Sequence, residues 1–206
     1  MRYGYLWSAA IFLTILSLIG CASSPSETYY TLSASAAVNG ANSATSESAY
    51  SIAVGPITLP EVVDRPQIVL RAGPNQVTVV ELHRWAGELK NEITRVIADN
   101  LAADLNVTQV AAYPQSAGDN ADYRVIVDIQ RFDSTIGESV TIDALWTVKR
   151  VSDGVPRTGR STARESSRGG SYETIVAAHS RALATISHEI AEAIRSSAST
   201  PPVPAK

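Results

Sequence analysis

The sequence is poor in cysteine and in large apolar side chains. Its 206 residues include one cysteine, one methionine and two phenylalanines. A single cysteine cannot form an intramolecular disulfide or supply the paired thiolates of a structural zinc site. Few large side chains are available to line a lipid cavity, so a carrier that encloses lipid ranks behind the other functions considered below.

Basic residues are also in short supply. The chain has 17 lysines and arginines against 20 aspartates and glutamates, and its formal net charge is −3. Proteins that bind nucleic acid concentrate positive charge on one face, and the sequence has no basic excess to provide it. We therefore predict that the protein has no nucleic-acid partner.

Only one stretch of the sequence is strongly apolar throughout. It runs from Leu6 to Ile19, follows Arg2 and is shorter than the ~20 residues that a membrane-spanning helix needs. A basic start, an apolar middle and a small-residue exit are typical of a secretory signal. The run ends in Leu-Ile-Gly-Cys, which resembles the lipobox of bacterial lipoproteins, so we expect residues 1–20 to be removed and Cys21 to be acylated. An uncleaved anchor helix and a buried cysteine are the alternatives.

Enzyme signatures are absent from the sequence. It contains no Gly-x-Ser-x-Gly elbow, no phosphate-binding loop and no Gly-x-Gly-x-x-Gly fingerprint. His179 and His188 are spaced so that a helix, which turns about 100° per residue, places them on opposite sides, and they cannot share a metal. His179 falls on an apolar stripe and is expected in the core or at an interface. We predict that the protein is not an enzyme and has no cofactor and no metal site.

Composition divides the chain after the signal into three parts. Residues 21–49 are rich in Ser, Ala and Asn, and we interpret them as a lipidated tether and flexible linker with a short strand at 29–32. Residues 50–197 contain the periodic apolar segments and are predicted to form a single α/β domain. Residues 198–206 are proline-rich and are predicted to be a disordered tail.

Apolar periodicity predicts a domain of strands and two long helices. A change of face at Gly55-Pro56 indicates a bulge in the first strand of the domain. The expected fold class is α/β (α+β), a two-layer sandwich of a mostly antiparallel sheet with two long helices on one face. The segments with strand periodicity are 67–71, 76–80, 122–130 and 140–149, and those with helix periodicity are 86–105 and 172–196.

Two short clusters are candidates for binding a partner. Asp64 and Arg65 lie in a turn that leads into a hairpin, where ordinary turn chemistry is the simpler explanation. Glu81, Arg84 and Trp85 precede the first helix, and Arg and Trp are favoured anchors at protein interfaces. For Trp85 the alternative is a core residue that packs beneath the hairpin.

The same clusters carry a resemblance to a known family. The chain resembles the Pqi-system (PqiC/YmbA-like) auxiliary lipoproteins, also described as ABC-type transport auxiliary lipoproteins. The resemblance extends over nearly the whole chain after the signal, with its motifs in the family's order. The matching pieces are the lipobox ending at Cys21, Tyr29-Tyr30-Thr31-Leu32, Val54-Gly55-Pro56, Leu59-Pro60, Asp64-Arg65-Pro66-Gln67-Ile68-Val69, Arg84-Trp85-Ala86, Tyr113-Pro114, Tyr123-Arg124-Val125 and Phe132-Asp133.

The resemblance implies a role in the cell envelope. Such a protein would be held in the outer membrane by its N-terminal acyl chains and would face the periplasm. It would act with an MCE-domain protein anchored in the inner membrane, as a docking component of a lipid transport system, and could assemble as a homo-oligomeric ring. Ala22 after the cysteine, rather than Asp, favours the outer membrane. The alternative is a generic envelope lipoprotein that modulates assembly or cell-wall enzymes.

Overall fold

The computed structural model describes most of the chain between its two ends. The described ranges are 25–35, 50–115, 118–152 and 154–199. The predicted signal at 1–20 and the predicted acylation site Cys21 lie outside the described residues. Residues 36–49 of the predicted linker and residues 200–206 of the predicted tail also lie outside them.

Eight strands and two helices make up the secondary structure of the described residues. The strands are β1 (Thr28–Tyr30), β2 (Ile52–Thr58), β3 (Gln67–Gly73), β4 (Gln76–Trp85), β5 (Val110–Ala112), β6 (Tyr123–Thr135), β7 (Ser139–Arg150) and β8 (Pro156–Ser166). The helices are α1 (Leu89–Leu105) and α2 (Tyr172–Ala198).

The strands form two sheets rather than the one that the sequence leads us to expect. The smaller sheet has the order β1-β4-β3, and the larger has the order β5-β2-β6-β7-β8. Long antiparallel ladders join β3 to β4, β6 to β7 and β7 to β8, whereas β1 and β2 make shorter parallel pairs. The α+β class is thus confirmed. The division into two sheets does not show in the sequence, because alternation reports which face of a strand is buried and not which strand is its neighbour.

Both helices bury the apolar stripes that their periodicity predicts. α1 contacts β2 and β5, α2 contacts β7 and β8, and the two helices contact each other. Ser171 caps the start of α2, where its Oγ accepts a hydrogen bond from the backbone N–H of Thr174. In the part of the chain that is described, no helix is both long and apolar enough to cross a membrane. The buried stripes are Leu89, Ile93, Val96, Ile97, Leu101 and Leu105 of α1 and Ile175, Leu183, Ile186, Ile190 and Ile194 of α2.

α1 begins at Leu89, later than the predicted start near Ala86. Trp85 is still the last residue of β4, and its backbone N–H donates to the carbonyl oxygen of Pro66 at 2.7 Å. The N–H of Ala86 donates to the carbonyl oxygen of Tyr30, also at 2.7 Å. Because the extended backbone of β4 continues through Trp85, the helix can begin only after that residue.

The predicted bulge at Gly55-Pro56 is confirmed. The pairing of β2 with β6 shifts register between Val54 and Ile57. Gly55 has a φ of 112°, and a Cβ atom there would lie 2.6 Å from the Cβ of Tyr113. Only glycine combines this backbone conformation with so close a neighbour.

The N-terminal segment 28–35, which we call the strap, is packed against the domain. Its β1 residues pair in parallel with the end of β4, and the side chain of Leu32 is 1% exposed. Arg95 of α1 donates to the carbonyl oxygen of Leu32 at 2.6 Å. The N–H of Ser33 donates to Oγ of Ser180 in α2 at 3.2 Å. Residues 33–35, which the sequence assigns to the linker, are therefore held against both helices.

Candidate partner-binding groove

A surface groove lies where the β2–β3 loop meets the start of α1. Its volume is about 510 Å³. Two of its lining residues, Trp85 and Leu89, are buried apolar side chains, and charged side chains also line it. We call it the α1 groove. Its lining residues are Asp64, Arg65, Pro66, Trp85, Ala86, Gly87, Glu88, Leu89 and Lys90.

Local turn chemistry holds the loop side of the α1 groove in place. The N–H of Val63 donates to the carbonyl oxygen of Pro60 at 3.0 Å, and the N–H of Arg65 donates to that of Val63 at 2.9 Å. An ion pair of 2.5 Å joins Lys90 Nζ, in the first turn of α1, to Oδ2 of Asp64. Both side chains are more than a third exposed, so the pair contributes at most about 1 kcal/mol to stability. It links the loop to the helix across the groove.

The backbone N–H groups in the first turn of α1 also lie at the groove. Glu88 occupies the N-cap position but makes no side-chain hydrogen bond to the first turn. Its carboxylate instead accepts from the side-chain amide of Asn91 at 3.0 Å. The N–H groups of a helix's first turn carry partial positive charge, which favours an acceptor from a bound molecule.

Trp85 is a core residue and not an exposed anchor. It is 4% exposed, and its ring meets the rings of Phe132 and His179 edge-on, with centroids 6.3 Å apart in each case. Of the two interpretations of Trp85, the core residue is therefore correct and the exposed partner-binding anchor is wrong. Because β4 extends through Trp85, the alternation of the strand turns this side chain toward the core.

Glu81 and Arg84 are not among the residues that line the groove, and Arg84 contacts the N-terminal segment. Arg84 forms an ion pair of 3.1 Å with Glu27, and its Nε donates to the carbonyl oxygen of Glu81 at 3.1 Å. The carboxylate of Glu81 accepts from the side-chain amide of Gln67 at 3.1 Å. The structure thus brings Asp64, Arg65 and Trp85 together at one groove and places Glu81 and Arg84 on a different surface.

A buried serine–histidine pair lies in the core beneath Trp85. Ser134 Oγ and His179 Nε2 are 2.8 Å apart, and the His179 ring stacks on Phe132 with centroids 3.9 Å apart. Complete burial lowers the pKa of His179 to about 3. Its Nδ1 has no hydrogen-bond partner among the described residues. Ser134 is 3% exposed and His179 is 0% exposed, so a substrate cannot reach this pair.

A second cavity, of about 540 Å³, lies between the β3–β4 hairpin and the larger sheet. Arg71 and Arg131 both contact the carboxylate of Asp133, at 2.9 Å and 2.5 Å. Burial alone would raise the pKa of Asp133, but the hydrogen bonds from the two arginines outweigh it and hold the pKa below its usual value. Asp143 pairs with Arg160 at the same cavity, and this hydrogen bond lowers the pKa of Asp143.

We call the second cavity, which Arg71 and Arg131 line, the arginine cavity. Local spacing in the sequence predicts neither this cavity nor the buried Ser134–His179 pair, because their members come from separate strands and a helix. Over the described ranges, no group of three or more His, Cys, Asp or Glu side chains is placed to hold a metal ion.

Solved structures share the fold of this chain. One is the crystal structure of an uncharacterized protein, with a TM-score of 0.67 and 17% identity, covering 82% of this chain and 99% of the other. Another is a Xanthomonas campestris protein of the DUF330 family, with a TM-score of 0.64 and 17% identity, covering 84% of this chain and 100% of the other. At this level of identity the likeness establishes the fold alone. No curated protein matches the chain by sequence.

The family model gives the more direct comparison. The model for the ABC-type transport auxiliary lipoprotein component matches residues 30–191. The match begins in the strap, ends within α2 and includes every residue of the α1 groove and of the arginine cavity. This chain therefore belongs to the family of ABC-type transport auxiliary lipoprotein components.

Proposed function

We propose that the protein is an outer-membrane lipoprotein, acylated at Cys21, that docks an MCE-type lipid transport system to the membrane. Family membership supports a lipoprotein that assists a transporter, and the Leu-Ile-Gly-Cys sequence supports acylation. The MCE-domain partner, anchored in the inner membrane, would reach this protein from the periplasmic side. A homo-oligomeric ring stays a prediction.

The α1 groove is the observation that carries the docking role. Its lining combines the buried side chains of Trp85 and Leu89 with the exposed residues Pro66 and Ala86, and it includes charges of both signs. Asp64 and Lys90 form an ion pair with each other, whereas Arg65 is exposed on the loop side. Grooves with a buried apolar centre and a polar rim are the usual anatomy of a protein interface. A partner segment with an acidic residue opposite Arg65 fits this arrangement.

We further propose that the protein acts by binding and not by catalysis. The strongest pKa change belongs to His179, which is fully buried and neutral at physiological pH. Its neighbour Ser134 is equally inaccessible, and no carboxylate accepts a hydrogen bond from the histidine Nδ1 among the described residues. A nucleophile needs both access to substrate and an oriented base.

In-cell photocrosslinking tests the docking role. A photoreactive amino acid at position 65 should capture an MCE-domain protein, identified by mass spectrometry, from cells that express the full chain. The same group at Val151, which is 50% exposed in the β7–β8 turn, serves as the control. Capture of peptidoglycan-synthesis or assembly proteins at position 65, or equal capture from both positions, would contradict the proposal.

A further inference from the structure

β8 forms one edge of the larger sheet. It pairs with β7 over eleven residues without a register shift, and among the described residues no strand lies on its other side. Proteins commonly protect a sheet edge with a bulge, a proline or a very short strand. None of these interrupts β8 after its first residue, Pro156. The edge is therefore a regular template for a further strand.

The pairing at the end of β8 identifies the backbone groups that point away from β7. The N–H of Ser167, one residue beyond β8, donates to the carbonyl oxygen of Glu138 on the β7 side at 3.1 Å. Since successive residues of a strand point their N–H and C=O groups to opposite sides, those of Ser166 point to the open edge. The carbonyl oxygen of Ser166 accepts a hydrogen bond from Arg181 of α2 at 2.7 Å, which agrees with this direction. The same alternation directs to the open edge the backbone groups of the exposed residues Thr158, Arg160, Thr162 and Arg164.

Two arginines give this edge a positive charge. Arg160 and Arg164 are exposed and lie four residues apart, so their side chains share one face of β8. Arg160 Nε donates to a carboxylate oxygen of Asp143 at 2.9 Å, which balances part of its charge. Arg164 Nε donates to a neutral group, Oγ of Ser139, at 3.1 Å. An added strand with acidic side chains opposite the two arginines would gain favourable cross-strand pairs.

The same arginines disfavour a second copy of this chain as the added strand. If two copies paired antiparallel through β8 about Thr162, Arg160 of each copy would lie opposite Arg164 of the other. Like charges directly opposite each other in a ladder are destabilising. The edge is thus protected against its own copy but open to an acidic strand, and such a combination gives specificity for a partner.

We propose that β8 binds an extended, acidic segment of another protein as an antiparallel sixth strand of the larger sheet. The acidic residues of the segment lie opposite Arg160 and Arg164, and its backbone bonds to the groups at the open edge, which is the general mode of β-strand addition. No residue that lines the α1 groove belongs to β7 or β8. This surface is therefore separate from the docking site proposed above, and its test does not depend on the MCE-domain partner.

A peptide with alternating glutamates provides the probe. The peptide Thr-Glu-Val-Glu-Val-Glu-Thr carries a fluorescent label at its N-terminus, and fluorescence anisotropy measures its binding to the full chain in detergent. In an antiparallel ladder, the residues opposite Arg160 and Arg164 point their own N–H groups to β8, whereas the residues between them point away. We therefore expect N-methylation of the glutamates to weaken binding more than about tenfold, and N-methylation of the valines to change it less than about twofold.

Charge reversal on the protein provides the second measurement. Arg164→Glu should weaken binding roughly tenfold, whereas Arg124→Glu, on an exposed residue of β6 that β7 separates from β8, should change it less than about twofold. No binding of the unmodified peptide, equal effects of the two charge reversals, or equal affinities of the two N-methylated peptides would overturn the proposal. A disulfide-linked dimer that Thr162→Cys forms and the unchanged chain does not would identify a second copy as the occupant, and would also overturn it.

Discussion

The buried imidazole of His179 makes stability depend on pH. Its pKa falls from 6.5 to about 3 because burial disfavours the charged ring. Below pH 6.5 this histidine therefore binds a proton in the unfolded chain but not in the folded protein. Stability is lost as the pH falls from 6.5 toward 3. We expect the free energy of unfolding to drop by about 2 kcal/mol between pH 7 and pH 5, measured by urea denaturation.

The variant His179→Gln isolates this contribution. Glutamine does not titrate and can still hydrogen-bond Ser134, so the variant should be less stable at pH 7 but should lose most of the dependence between pH 7 and pH 5. Asp133 and Asp143 do not interfere, because their lowered pKa values place their own losses at more acidic pH. An unchanged pH dependence in the variant would contradict the assignment to His179.

Asp133 is the second residue on which stability depends strongly. Its side chain is 16% exposed and accepts hydrogen bonds from both Arg71 and Arg131. Replacement by Asn removes the carboxylate that both guanidinium groups contact in a partly buried site, and we expect a loss of roughly 1–3 kcal/mol by chemical denaturation. Asp99→Asn is the matched control, because its pair with Arg95 is half exposed and should contribute less than about 0.5 kcal/mol. Equal losses in the two variants would contradict this account.

At the level of elements, apolar periodicity predicts which faces of the helices and strands are buried, but not which segments lie beside one another. The stripes of Ile93 and Ile186 identify both helices, because one face of each helix must be apolar. The predicted start of α1 is wrong because β4 continues through Trp85, where the backbone pairs with Pro66, a residue that is not close in sequence. Long-range pairing of this kind leaves no local signal. The same holds for the parallel strands β1 and β2.

The strap is a short element in which Leu32 is the most deeply buried side chain. Leu32 is 1% exposed, and its carbonyl oxygen accepts the hydrogen bond from Arg95. We expect Leu32→Ala to cost roughly 2–5 kcal/mol, because a cavity is left under the strap. Hydrogen exchange at the N–H groups of Ser33 and Ser35, which donate to Ser180 and Asn100, should also speed up.

Truncation of an exposed side chain is the control for Leu32→Ala. Val151→Ala removes two methyl groups from a side chain that is 50% exposed, and we expect a change below about 0.5 kcal/mol. If Leu32→Ala is as mild as this control and leaves exchange at the strap unchanged, the strap does not form part of the packed domain.

At the scale of the whole molecule, the candidate residues divide between two surfaces. Arg84 and Trp85 are neighbours in sequence, yet successive residues of a strand point to opposite faces. Arg84 therefore meets Glu27 outside, while Trp85 enters the core. The sequence indicates both clusters, but their separation depends on the continuation of β4 through both residues. Asp64 and Arg65 remain together because they share one turn.

This separation predicts different outcomes for two residues of the α1 groove. Arg65 is exposed, so Arg65→Glu should leave the unfolding free energy within about 0.5 kcal/mol of the wild type. If the groove docks an acidic partner segment, the same change should weaken binding of the MCE-domain protein roughly tenfold, or about 1.4 kcal/mol. Trp85→Ala should instead cost roughly 3–5 kcal/mol of stability, because a large core side chain is removed.

Binding and stability are separated by measuring both on the same proteins. Calorimetric titration with the soluble part of the MCE-domain protein gives the affinity, and urea denaturation gives the stability. Lys149→Glu, a reversal of similar charge on an exposed residue near the end of β7, controls for the general effect of added negative charge. Its affinity should stay within about twofold of the wild type, because a charge far from an interface acts mainly through screened long-range forces. Equal weakening by Arg65→Glu and Lys149→Glu would show that the partner responds to net charge, and the α1 groove would then not be its docking site.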